Sequence, residues 1–131
     1  MSRKKPFLLA RLQSFRYAFN GLIMLFREEP NARIHLLATV IVVLLGMYFN
    51  IFALEWVGII LSIGLVIAME ALNTALENLS DFVSPEKQSA IKKTKDLAAA
   101  AVLVSAITAF IIGVIIFLPK IIELLGSKEI L

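Results

Sequence analysis

The run Trp56-Val-Gly-Ile-Ile-Leu-Ser-Ile-Gly-Leu-Val-Ile-Ala-Met-Glu70-Ala-Leu-Asn73-Thr74-Ala-Leu76 decides the fold. From Trp56 to Met69 it holds no charged residue. As a helix, the whole run is long enough to cross a hydrocarbon layer about 30 Å thick, which takes about 20 residues. Two other stretches, Ile34 to Phe52 and Leu97 to Leu118, meet the same criterion. The chain as a whole is 60% hydrophobic and only 18% charged, with a mean hydropathy of +0.89. Those values are too apolar for a soluble domain of 131 residues. The expectation is an all-α integral membrane protein, with residues 1–131 forming one membrane-embedded domain.

The connections set the topology. The link from Asn50 to Glu55 is short, so the first two spans form an antiparallel hairpin, whereas the segment from Ser80 to Asp96 is polar, contains Pro85 and reads as a longer loop with room for chemistry. Arg3, Lys4, Lys5, Arg11, Arg16, Arg27 and Arg33 precede the first span, and Lys87, Lys92, Lys93 and Lys95 lie between the second and third. The 50–55 link has no Lys or Arg. Positive residues stay on the cytoplasmic side, so the N-terminus and the 80–96 segment are expected in the cytoplasm of a bacterial cell, and the C-terminus outside. There Lys120 and Lys128 are offset in part by Glu123 and Glu129.

Before the first span, Leu8, Leu12, Phe15, Phe19, Leu22 and Phe26 recur every three to four residues, with Arg11, Gln13, Arg16 and Asn20 off that stripe. This is the pattern of an amphipathic helix over about residues 7–27 lying in the membrane surface, either as a simple anchor or as a cover over a substrate entrance. It lacks the continuous apolar core of a signal peptide. Gly21 reads as a packing or bending position. With no cysteine there is no disulfide and no thiolate metal site. No P-loop, GxGxxG turn or GxSxG elbow occurs. The single histidine, His35, opens the first span and reads as an interfacial or packing residue. The net charge of +3 is explained by the distribution of positive residues and does not point to nucleic acid.

Function is concentrated where the second span turns polar. Relative to Glu70, the residues Asn73, Glu77 and Asp81 are rotated by about 300°, 700° and 1100°, which returns all of them near one helix face. They are expected to converge on a ligand. An ionisable group within a span costs roughly 2.5 to 3.5 kcal/mol or more, and so implies function. Glu29, just before the first span, and Glu77, at the inner end of the second, are placed at the same boundary and could together hold a hard divalent cation such as Mg²⁺ with a phosphate substrate. Lys95, beside Asp96, suits phosphate as a compact point charge. Glu70 lies about 10 Å deeper than Glu77, where a lowered dielectric favours a general base. The competing explanation is helix–helix adhesion, because Ser62, Gly64, Ala68, Ala71 and Ala75 give the same helix a small-residue surface.

The string Glu70-Ala-Leu-Asn73-Thr-Ala-Leu-Glu77-Asn-Leu-Ser-Asp81, then Ser84-Pro85-Glu86 and Lys92-Lys93-Thr-Lys95-Asp96-Leu-Ala-Ala-Ala-Ala-Val-Leu, resembles the prokaryotic diacylglycerol kinase family of small membrane lipid kinases. Arg11, Gly21 and the segment Glu29-Pro-Asn31-Ala-Arg33-Ile-His35 extend the resemblance over most of the chain. The resemblance implies a homotrimer with composite sites where protomers meet. It also implies phosphoryl transfer from ATP to a lipid alcohol, with Glu70 as base, Glu29 and Glu77 as Mg²⁺ ligands, and Asn73, Lys95 and Asp96 as polar site residues. Asp81 and Arg11 match the family as well. Glu28 precedes Glu29 and is a second carboxylate at the metal segment; the register of Gly21 and His35 favours Glu29.

The Asn73 to Asn78 string, the Ser-Pro-Glu turn and the ending Gly113-Val-Ile-Ile-Phe-Leu-Pro-Lys120 look more like the undecaprenol kinase branch than the enterobacterial diacylglycerol kinases. Undecaprenol is therefore the expected acceptor and diacylglycerol the alternative. A non-enzymatic small transporter or scaffold is the competing class. A relay across the membrane needs access from both sides, and the stretch from Trp56 to Met69 offers no charge for one.

Overall fold

The computed structural model describes residues 6–128, so Arg3, Lys4, Lys5 and Glu129 lie outside the described residues. It contains helices α1 (Phe7–Glu28), α2 (Pro30–Tyr48), α3 (Ala53–Val83) and α4 (Ser89–Lys128). Among the described residues, α2, α3 and α4 are each long and apolar enough to cross a membrane. The fold class expected from the sequence is the one observed.

Each junction has a local cause. Glu29 alone separates α1 from α2 and is extended, with φ −98° and ψ 113°. Pro30 then occupies the first helical position, where its missing N–H costs nothing and its fixed φ suits the helix. Arg33, one turn on, donates from Nε to the Phe26 carbonyl at 3.0 Å and from Nη2 to the Arg27 carbonyl. These are otherwise unpaired acceptors at the end of α1, so one guanidinium caps α1 and fixes its angle to α2. Leu25 and Ala32 are buried where the helices meet. By contrast Leu8, Leu12, Phe15, Phe19 and Leu22 stay exposed on the protomer.

The α2–α3 connection is a Schellman turn. Ile51 N–H reaches back to the Gly46 carbonyl and Asn50 N–H to that of Met47, while Asn50 adopts φ 50°. Asparagine is one of the few residues that tolerate this left-handed conformation. The turn delivers Ile51 into the core, where it packs with Ile59, Ile116 and Phe117. Trp56 passes so close to Gly46 that a Cβ there would stand 2.7 Å from the indole. At the start of α3, Glu55 accepts the Phe52 backbone N–H at 2.9 Å. Its other oxygen accepts Lys120 Nζ of α4 at 2.7 Å, which ties the two antiparallel helices at the end away from Glu70.

One sequence expectation is corrected. The 80–96 segment is not a long loop: α3 runs to Val83 and α4 starts at Ser89, leaving only residues 84–88 between them. Polar residues do not interrupt a helix that leaves the apolar layer, and i,i+4 pairs such as Lys92–Asp96 support it in water. In α4 the helix continues through Pro119 to Lys128. Proline removes one helical hydrogen bond, with a kink as the usual result. At 31 and 40 residues, α3 and α4 are about 46 and 60 Å long at 1.5 Å per residue, longer than the layer they cross.

Candidate active site

Residues along α3 are buried in a graded series. Glu70 is 3% exposed, Asn73 and Glu77 are half-buried, and Asp81 is exposed. Eleven residues of helix separate the ends of this series, about 16 Å. Within one protomer the polar residues therefore form separate pairs along a stripe. Glu70 Oε1 lies 3.1 Å from His35 Nε2. Asn73 Nδ2 donates to Glu77 Oε1 at 3.3 Å. Asp81 pairs with Lys95 at 2.5 Å, and Asp96 with Lys92 at 2.5 Å. Arg11 lies on α1 with its guanidinium 5.0 Å from the Phe7 ring centroid, and makes no ion pair with these residues.

The ring of His35, read from the sequence as interfacial or packing, meets the most deeply buried carboxylate among the described residues. The contact has hydrogen-bond distance without hydrogen-bond alignment, and Glu70 Oε1, Asn73 Oδ1 and Thr74 Oγ1 are the buried side-chain polar atoms left unpaired among the described residues. Each unpaired buried atom costs about 1–3 kcal/mol. All three lie within about one turn of α3.

Three cavities lie along the helices, and the first of them reaches the stripe at Asp81. The first, of about 610 Å³, lies at the α3–α4 tip and is lined by Asp81, Lys92, Lys95 and Asp96. A second, of about 290 Å³, lies between α1 and α3 and is bordered by Gly21, Leu25, Glu28 and Thr74. A Cβ on Gly21 would meet nothing within 4 Å, so this glycine keeps the cavity open rather than packing tightly. The third is an apolar groove of about 460 Å³ that starts at His35 and runs along α4 from Ala106 to Ile121.

Glu29 and Glu77 are half-buried, and neither has a cation within ion-pair distance among the described residues. No group of three or more His, Asp or Glu residues there could hold a metal by itself. Two hard carboxylates without a counter-charge fit Mg²⁺, which keeps waters and takes its remaining ligands from substrate phosphates.

Fold and site together define a small multi-pass membrane protein with a buried carboxylate, Glu70, beside an imidazole on a neighbouring apolar helix. Residues 16–117 match the model of a family described as prokaryotic diacylglycerol kinase. The chain is 38% identical over 108 residues to an undecaprenol kinase of Bacillus subtilis, covering 82% of this chain and 88% of that protein. It is 36% identical over 115 residues to a diacylglycerol kinase of Synechocystis, covering 87% of this chain and 66% of the relative. With a diacylglycerol kinase of Escherichia coli it shares 30% identity over 95 residues, 72% of this chain and 78% of that one. The chain belongs to the prokaryotic diacylglycerol kinase family and is a membrane lipid kinase.

Proposed function

We propose that the chain transfers the γ-phosphoryl group of ATP to the hydroxyl of undecaprenol, giving undecaprenyl phosphate and ADP, on the cytoplasmic face of the bacterial plasma membrane. The observation that carries this reading is Glu70: a carboxylate buried in a span, 3.1 Å from His35, which itself lines an apolar groove along α4. A base at that depth suits an alcohol whose long apolar tail cannot leave the membrane.

In the proposed step Glu70 takes the proton from the lipid hydroxyl. The hydroxyl oxygen bonds to the γ-phosphorus as the bond from that phosphorus to the bridging oxygen breaks, and ADP leaves with the electron pair. Glu29 and Glu77 would hold Mg²⁺, which when bound neutralises charge on the phosphates. Lys95 faces the phosphoryl charge that develops, while Asn73 orients Glu77 and Asp96 contributes a polar contact. Asp81 holds Lys95, and Arg11 on α1 supplies a cation near the nucleotide. The pairs are spread along the stripe within one protomer, which supports a homotrimer whose sites are completed by neighbouring copies and by the α1 helix lying in the membrane surface. Family membership in lipid kinases displaces the transporter or scaffold alternative.

The test offers undecaprenol and diacylglycerol side by side to the purified protein in bilayer discs, with labelled ATP and Mg²⁺. Label is expected chiefly in undecaprenyl phosphate, and is expected to disappear with Glu77→Gln. Preferential label in phosphatidic acid would make diacylglycerol the acceptor and overturn the substrate assignment.

A further inference from the structure

We infer that His35 is a positioning residue for Glu70: it holds one carboxylate oxygen so that the other faces the lipid hydroxyl. This rests on Glu70 being the base of the proposed reaction. Nε2 of the only histidine in the chain stands 3.1 Å from Oε1 of the buried carboxylate, and none of the other ion pairs among the described residues involves Glu70. No lysine or arginine competes for it there.

The backbone that carries the ring is part of α2. His35 sits on α2 one turn beyond buried Ala32, and Thr39 Oγ1 donates to the His35 carbonyl at 2.8 Å. The ring is about a quarter exposed, whereas the Glu70 side chain is almost fully enclosed. Its remaining surface lines the apolar groove toward α4, together with Ala38, Val66 and Phe110. The imidazole thus stands between a carboxylate and the place where an apolar chain would lie. A carboxylate that must accept a proton needs one oxygen free and correctly aimed, and its side-chain torsions would otherwise leave both oxygens undirected. Donation from Nε2–H to Oε1 removes that freedom and leaves Oε2 for the hydroxyl. His35 itself neither gains nor loses a proton in the step. At 3.1 Å the contact already has hydrogen-bond distance, and catalytic hydrogen bonds align fully only in the complex with substrate.

The experiment compares His35→Leu, His35→Gln and His35→Asn with wild type in bilayer discs, measuring kcat and the KM for MgATP, with Glu70→Gln in parallel. Glutamine places an amide N–H as far from the backbone as Nε2, while asparagine stops one bond short. His35→Leu and His35→Asn should lower kcat about tenfold to hundredfold, the scale of a small misplacement of a reacting group. KM for MgATP should not change, and His35→Gln should recover most of kcat. Equal losses in glutamine and asparagine, wild-type kcat in leucine, or a change confined to KM would overturn the inference. Should the leucine variant not fold, the glutamine and asparagine pair decides alone. If Glu70→Gln loses activity while His35→Asn does not, only the positioning role fails. If Glu70→Gln retains activity, the base assignment fails and takes this inference with it.

Discussion

Gly46 shows how single positions hold the inner geometry. It accepts the Ile51 N–H at the end of α2 and lies under the Trp56 indole. Alanine is the better helix former by about 1 kcal/mol, but a methyl here would enter atoms 2.7 and 2.9 Å away on a ring that packs against the core. Overpacking of this kind costs about 1–3 kcal/mol. Gly46→Ala should therefore lower the unfolding midpoint in detergent, and an unchanged or raised midpoint would show that Trp56 moves aside freely. The same scale shows what was legible in the sequence. Glu70 was visible as a charge where hydrocarbon was expected. The contact of His35 with Glu70 is less visible, because a histidine at a span's edge is usually interfacial. A depth comparison would have found it: His35 lies six residues inside Glu29 and Glu70 seven inside Glu77. In antiparallel helices with those two glutamates at one boundary, this puts both about 9–10 Å deep.

At the scale of elements, the three spans followed from apolar length and α1 from its amphipathic recurrence, but their ends did not. Hydropathy reports where a helix leaves the lipid. Whether it then stops depends on breakers and on partners across the hairpin. Asp81 and Lys95 join α3 to α4 beyond the apolar layer, and Glu55 and Lys120 join them at the other end. Neither pair was apparent from spacing within one helix. The Asp81 carboxylate is well exposed, so its ion pair with Lys95 should stabilise the hairpin by less than about 1 kcal/mol. Lys95→Met should accordingly leave thermal unfolding almost unchanged while lowering kcat about a hundredfold or more, as expected for a group acting on developing phosphoryl charge. Equal damage to stability and turnover would reduce Lys95 to a structural strut.

Across the whole molecule, the arrangement is one-sided. The polar stripe, its ion pairs and the cavity at the α3–α4 tip all belong to the same end, and the opposite end carries the Schellman turn and the Glu55–Lys120 tie. The rotation of Glu70, Asn73, Glu77 and Asp81 to one face was legible. Their failure to converge within a protomer was not, because angular periodicity says nothing about the rise of the helix, which spreads them over about 16 Å. The unpaired atoms of Glu70, Asn73 and Thr74 lie at the buried end of that spread. The most direct measurement is transfer of label from ATP to undecaprenol by wild type and Glu70→Gln in bilayer discs with Mg²⁺. Wild type should phosphorylate the lipid, and the variant, equally helical, should be slower by about 10²- to 10⁴-fold, the range for loss of a general base. A Glu70→Gln protein that labels undecaprenol at close to the wild-type rate would contradict a reaction driven from within the membrane by this carboxylate.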